Sequence, residues 1–125
     1  MTSNLDEKGL RSIIDEYDLF FIDVWGVIHN GINLFQNSVE VLDRLEENKK
    51  NYVLLTNAPR PNQTVFEFLK KMGLDKTKAQ HVYTSGQAAL DQLKTMNSKK
   101  FFHVGPPRAV SYTQLRAHET PLHLV

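Results

Sequence analysis

The chain has no cysteine, which excludes a disulfide framework and any thiolate metal site. It also lacks an excess of either charge, since 15 basic side chains face 14 acidic ones for a formal net charge of +1. A polyanion is therefore not the expected partner, and nucleic acid is disfavoured. The apolar runs fall far short of the roughly 20 residues that span a bilayer. The opening MTSNLDEKGL has neither the basic start nor the apolar centre of a secretory signal. No membrane contact is expected, and a cytoplasmic location is. The glycosylation sequon at Asn62 then reads as the start of a helix. No GxGxxG follows the first apolar run, which argues against a dinucleotide site.

What is present suits one compact domain. The chain has 125 residues, 41% apolar and 23% charged, the balance of a globular protein with a real core. Apolar periodicity alternates between two kinds of segment. Leu10, Ile13, Ile14 and Tyr17 fall at helical spacing and predict an opening helix over residues 5–17. DLFFIDV is a short continuous run of β-formers, expected as a strand covered on both faces. Asn37 and Glu40 form a capping-box pattern ahead of Val39, Leu42 and Leu45. YVLLT predicts a second strand, stopped by the prolines of NAPRPN. Asn62 is placed to cap a helix lined by Val65, Leu69 and Met72, which Gly73 and Leu74 end as a Schellman stop. HVYTSG reads as a third strand and turn, Ser85 as the cap of a helix with Ala89, Leu93 and Met96 inward, and KKFFHVG as a fourth strand. This order predicts an α/β fold of the Rossmann type: three layers, a mostly parallel sheet, and helices on both faces.

Open parallel sheets bind ligands beyond the carboxyl ends of their strands. Asp23 ends the first strand and Thr56 the second, with Asn57 leading out, while Thr84, Ser85 and Gly86 close the third. A carboxylate there can attack phosphorus or hold a cation, and hydroxyls and loop amides can hold phosphoryl oxygens. Each residue taken singly has a plainer reading: Asp23 as a turn cap, Thr56 as a strand end, Trp25 as packing.

IDVWGVIHNG, LLTNAPR and the TSG of residues 84–86, in this order over residues 10–105, resemble the haloacid dehalogenase (HAD) superfamily, and within it the capped subfamily IIA. The closest resemblance is to a branch that carries DxWG where the family has DxDG. The resemblance implies a phosphoryl-transfer core with Asp23 as nucleophile and magnesium ligand, Thr56 and Asn57 binding the phosphoryl group, and the Trp25 carbonyl as a second ligand to Mg2+. The substrate implied is a small phosphorylated molecule. The family's acid/base carboxylate at position 25 is replaced by Trp25, a loss worth typically 10²–10⁴ in rate. His29, on the same loop, is weighed as a substitute acid/base against the commoner role of a hydrogen-bonding or solvated loop histidine. His81 and His103 read as scaffold, Arg60 as a solvated loop residue with contact to an anionic substrate as the less favoured alternative, and the lysine pairs at 70–71 and 99–100 as surface.

The family's cap domain, phosphoenzyme lysine and acidic magnesium loop have no counterpart in this sequence. Residues 1–108 are expected to form the N-terminal part of a HAD-like core, and residues 109–125, AVSYTQLRAHETPLHLV, a non-native-looking or disordered tail with no helical or strand period. Two functions stay open. One is the N-terminal fragment of a hydrolase working through an aspartyl nucleophile and inactive as a fragment. The other is a non-catalytic phosphate- or metabolite-binding or regulatory module on the same scaffold. A phosphorelay receiver is the poorer fit, because its acidic pair near the first strand is missing.

Overall fold

The computed structural model describes residues 5–97, 100–106 and 122–124. Three strands, β1 (Leu19–Asp23), β2 (Asn51–Thr56) and β3 (Val82–Thr84), form a parallel sheet in the order β1-β2-β3. The register pairs Asp23 with Leu55 and Thr56 with Thr84, so all three strands finish at one edge. Helix α2 (Gln36–Glu47) links β1 to β2, and α3 (Asn62–Lys71) with the short α4 (Lys76–Ala79) links β2 to β3. Helix α5 (Ser85–Thr95) follows β3.

The core lies on one side of the sheet. Leu54 and Val82 from the strands meet Leu42 and Leu45 of α2 and Leu69 of α3, all buried, with Leu74 and Ala79 closing the layer. Each such side chain contributes about 1.5–3 kcal/mol by leaving water. Successive strand residues point to opposite faces, and the other face is largely bare. Leu19, Phe21, Leu55 and Tyr83 are exposed there, Phe21 by 67%. Among the described residues α5 borders that face, where Ala88 lines a cavity with Phe21 and Tyr83 and the Tyr83 hydroxyl donates to Asp91 (3.0 Å). The expected three layers are thus present with the second incomplete. Strand β1, read as covered on both faces, is covered on one. Ala89 and Met96 of α5, read as inward, are exposed, because no further layer of described residues lies over them.

The helix ends show which local signals decide. Gly73 (φ +106°) carries the Schellman stop as expected: Leu74 N–H donates to Leu69 O (3.0 Å) and Gly73 N–H to Lys70 O (2.9 Å). The opening helix is cut short. Only α1 (Leu5–Lys8) forms, because Gly9 takes φ +72°, and 3₁₀ turns at Leu10–Ser12 and Ile14–Glu16 replace the rest. Three expected caps sit one or two places off. Phe35 precedes α2 without a side-chain cap, Pro61 precedes α3, and Thr84 rather than Ser85 caps α5 by accepting from Gln87 N–H (2.8 Å). Asn62 is the first residue of α3, and its side chain accepts from Thr84 N–H (2.9 Å) instead.

Helix α4 has no counterpart in the sequence reading. Asp75 caps it by accepting from Thr77 N–H (2.9 Å), and it delivers Lys78 into a nearly buried pocket. There the Lys78 ammonium is 2.8 Å from both Asp43 and Glu46 of α2, and Tyr52 OH donates to Glu46 (3.1 Å). Burial, then the Glu46 charge, push the Tyr52 phenol up.

The fourth predicted strand exists as β4 (Phe101–His103) but does not join the sheet. It pairs in parallel with β5 (Leu122–Leu124) as a separate two-stranded sheet. Residues 122–124 therefore have strand pairing that their sequence did not disclose. The rest of the 109–125 segment lies outside the described residues. No helix of the described residues is long and apolar enough to cross a membrane.

Candidate functional site

A cavity of about 500 Å³ opens at the carboxyl edge of the sheet, lined by Asp23, Thr56, Asn57, Thr84 and Ser85 above an apolar floor of Phe21, Leu55, Tyr83 and Ala88. The strand pleat turns Asp23 with Leu55 to the open face and Thr56 to the covered one. As last residues of adjacent strands they nevertheless border the same cavity. The three residues expected to bind or react, Asp23, Thr56 and Asn57, are brought together.

Each is held differently. Asp23 is exposed, and its Oδ1 accepts from Val24 N–H (2.8 Å), which fixes the carboxylate at the strand tip. Thr56 is buried, with Oγ1 accepting from Ala58 N–H (3.3 Å); its hydroxyl proton is then left for another acceptor. Asn57 is exposed at the cavity wall.

The loop that follows, residues 57–61, is clamped onto the start of α5. Gly86 N–H donates to Ala58 O (3.0 Å), the Thr84 hydroxyl to Arg60 O (2.5 Å), and Asn62 N–H to the Gln87 side chain (3.1 Å). This use of Arg60's carbonyl and of Gly86 was not legible beforehand. The TSG motif was its only signal.

The loop after β1 is compact. Val24 O accepts from Val27 N–H (3.2 Å) and Ile28 N–H (2.8 Å) in a tight turn. A β-bridge then joins Trp25 to His29. Its two bonds, Gly26 N–H to His29 O (2.8 Å) and His29 N–H to Val24 O (3.4 Å), do not use the Trp25 carbonyl.

His29 is only 5% exposed and not on the cavity wall. Its Nδ1 accepts from Gly31 N–H (2.8 Å), so the neutral ring carries its proton on Nε2. Burial pushes the imidazole below its ordinary value. It is a packed, neutral ring and not a substitute acid/base.

His81 and His103 are scaffold. His81 stacks on Tyr52 (centroids 4.3 Å apart) with Nδ1 3.0 Å from Tyr52 O, and His103 is buried with Nε2 3.4 Å from Pro106 O. Among the described residues no three His, Cys, Asp or Glu side chains cluster as a metal site.

The family profile described as haloacid dehalogenase-like hydrolase matches residues 20–117. Among solved structures, a haloacid dehalogenase-like family hydrolase from Brucella suis is 30% identical with a TM-score of 0.73, covering 100% of this chain and 44% of that one. A possible sugar phosphatase of the HAD superfamily from Cytophaga hutchinsonii shares 19% identity and a TM-score of 0.72 over 91% of this chain and 40% of its own. A glycerol phosphate phosphatase from Mycobacterium tuberculosis, solved with magnesium, shares 23% and 0.61 over 90% and 33%. The chain thus spans less than half the length of these proteins. Among curated proteins none matches.

Proposed function

For a chain that belongs to the haloacid dehalogenase-like hydrolases, we propose phosphoryl transfer from a small phosphorylated molecule to the Asp23 carboxylate, followed by hydrolysis. The observation that carries this reading is that Asp23, Thr56 and Asn57 border one cavity at the carboxyl edge of a parallel sheet. An Asp23 oxygen bonds to phosphorus while the bond from phosphorus to the leaving oxygen breaks, its electron pair departing on that oxygen. A water oxygen then bonds to phosphorus, the pair of the broken acyl phosphate bond returns to the carboxylate, and a proton passes to solvent. Thr56 donates its hydroxyl proton to a phosphoryl oxygen, and Asn57 at the wall keeps the anion oriented.

Two oxygens suit Mg2+: the Asp23 carboxylate and the Trp25 carbonyl, which the loop's own bridge leaves unused. Magnesium is commonly held by one or two protein oxygens, with water and substrate completing its shell. Bound there, the ion supplies charge neutralisation for the phosphoryl group. The relative from M. tuberculosis, solved with magnesium and named a glycerol phosphate phosphatase, supports both the ion and the substrate class. A cytoplasmic setting fits this chemistry.

A second reading, a binding module without turnover, is favoured by Trp25, which brings no acid to position 25. Single-turnover assays with acetyl phosphate and Mg2+ separate the two. A phosphoenzyme that forms with the native chain and not with Asp23→Asn supports the enzyme. Saturable phosphate binding without a phosphoenzyme supports the module. Turnover unchanged in Asp23→Asn overturns the assignment of the nucleophile.

A further inference from the structure

Asn30 and Gly31 form the sole Asn-Gly pair in the chain. With no Cβ, glycine is the residue that least hinders attack by its own backbone nitrogen on the side chain before it. The reaction open to such a pair is deamidation through a five-membered succinimide ring.

The loop acts on the two reacting groups in opposite senses. Asn30 is exposed, and its Oδ1 accepts from Ile32 N–H (2.9 Å) and Asn33 N–H (2.8 Å). Donors aimed at a carbonyl oxygen stabilise the charge that develops there under attack, so the electrophile is primed. The nucleophile is latched. Gly31 N–H donates to His29 Nδ1 (2.8 Å). In the succinimide the new bond from nitrogen to Cγ lies along the direction of the lost N–H bond. With the imidazole in that direction, Asn30 Cγ cannot occupy it.

The latch rests on packed rings. His29 is 5% exposed, with its ring 5.0 Å from that of Trp25 and 5.5 Å from that of Phe68 between centroids. Gly31, at φ +92°, lies so close to the indole that a Cβ there would overlap Trp25 Cη2 and Cζ3. Turning the Gly31 nitrogen toward Asn30 therefore has to break the bond to His29 within a crowded corner of the loop.

We propose that Asn30 is a deamidation site whose rate is set by the hydrogen bond between His29 and Gly31. When that bond opens, a solvent base takes the Gly31 proton and the nitrogen bonds to Cγ. The bond from Cγ to Nδ2 then breaks with its electron pair on nitrogen, which takes a proton from water and departs as ammonia. Water adds to the ring. Opening at Cγ gives aspartate, and opening at the Asn30 backbone carbonyl gives isoaspartate, whose chain runs through Cβ and Cγ. The isoaspartate product carries one more backbone carbon between His29 and Gly31, so the latch cannot re-form in its original geometry. The altered segment belongs to the loop that follows Asp23.

Peptide mass spectrometry of the full chain, sampled over time near neutral pH, reads conversion at Asn30, and isoaspartyl methylation separates the two products. The native chain is expected to convert about tenfold more slowly than the same chain unfolded in guanidinium chloride, the factor set by one hydrogen bond net of exchange with water. His29→Leu, shown by circular dichroism to be folded, should convert about tenfold faster than the native chain. His29→Asn, whose side chain can still accept from Gly31 N–H, should stay near the native rate. Phe68→Ala, which removes the brace behind His29, should fall between the two. Equal rates for the native chain folded and unfolded overturn the latch. So does a native rate in folded His29→Leu, or in Phe68→Ala where the leucine variant does not fold. No conversion at Asn30 in the unfolded chain overturns the site itself.

Discussion

Gly86 lies against Arg60 so closely that a Cβ at position 86 would stand 2.5 Å from the Arg60 carbonyl oxygen and 2.6 Å from its carbonyl carbon and nitrogen. All three atoms are backbone, so no side-chain rotation relieves the overlap. Gly86→Ala must therefore move the 57–61 loop away from α5 and with it the wall beside Thr56. The expected cost is about 1–3 kcal/mol of stability, read as a lower urea midpoint at unchanged slope. Weaker phosphate binding should accompany it. An unshifted midpoint would mean that the loop is not held by this contact.

His29 makes stability depend on pH in a predictable direction. Burial lowers its folded pKa below the ordinary 6.5, so the unfolded chain binds the extra proton first as pH falls. Its contribution is therefore complete above about pH 6.5 and is lost as pH drops through the lowered folded value. His29→Gln, which cannot take up that proton, should flatten urea midpoints between pH 6.5 and pH 5 relative to the native chain. Parallel curves for the two proteins would rule the histidine out as the source.

Lys78 joins α4 to α2 through Asp43 and Glu46. Burial alone would lower its pKa, but the hydrogen bonds to the two carboxylates outweigh burial and raise it. A raised folded pKa gives stability that is fully present below the ordinary lysine value of 10.5 and is lost as pH rises through the folded one. Lys78→Met should cost about 1–2 kcal/mol near neutral pH, less than a fully enclosed pair because both carboxylates retain water contact. The gap between native and variant should close in alkaline urea titrations. A constant gap would point to packing alone.

Phe21 is a large apolar residue on the bare side of the sheet, and contiguous surface of this kind associates. Sedimentation at increasing concentration should show self-association of the native chain. Phe21→Glu is expected to shift it toward the monomer while changing stability by no more than about 0.5 kcal/mol, since the ring is mostly solvated already. Identical sedimentation of the two would remove this face as the contact.

The gathering of Asp23, Thr56 and Asn57 was legible because strand ends are written locally: an apolar run stops at a polar residue, and a parallel sheet lines those stops up at one edge. The Schellman stop at Gly73 was legible for the same reason. The opening helix was misjudged because periodicity at Leu10, Ile13 and Ile14 carries no information about the backbone Gly9 would choose. The partner of β4 is distant in sequence, and such pairing leaves no local trace. Nothing in KTKA foretold that Lys78 would be enclosed, since its carboxylate partners sit on α2. The fit of the Trp25 ring over Gly31 was equally hidden: a missing side chain shows its purpose only when something fills the space. Thr84 displaced Ser85 as the cap of α5 because Ser85 is already the first residue of the helix.

The sheet order β1-β2-β3 repeats the order of synthesis. Each strand leaving the ribosome finds its neighbour already made, and each crossover helix closes only a short stretch of chain before it docks. Assembly of this sheet can therefore proceed vectorially, with β1 laid down first and β3 docking last.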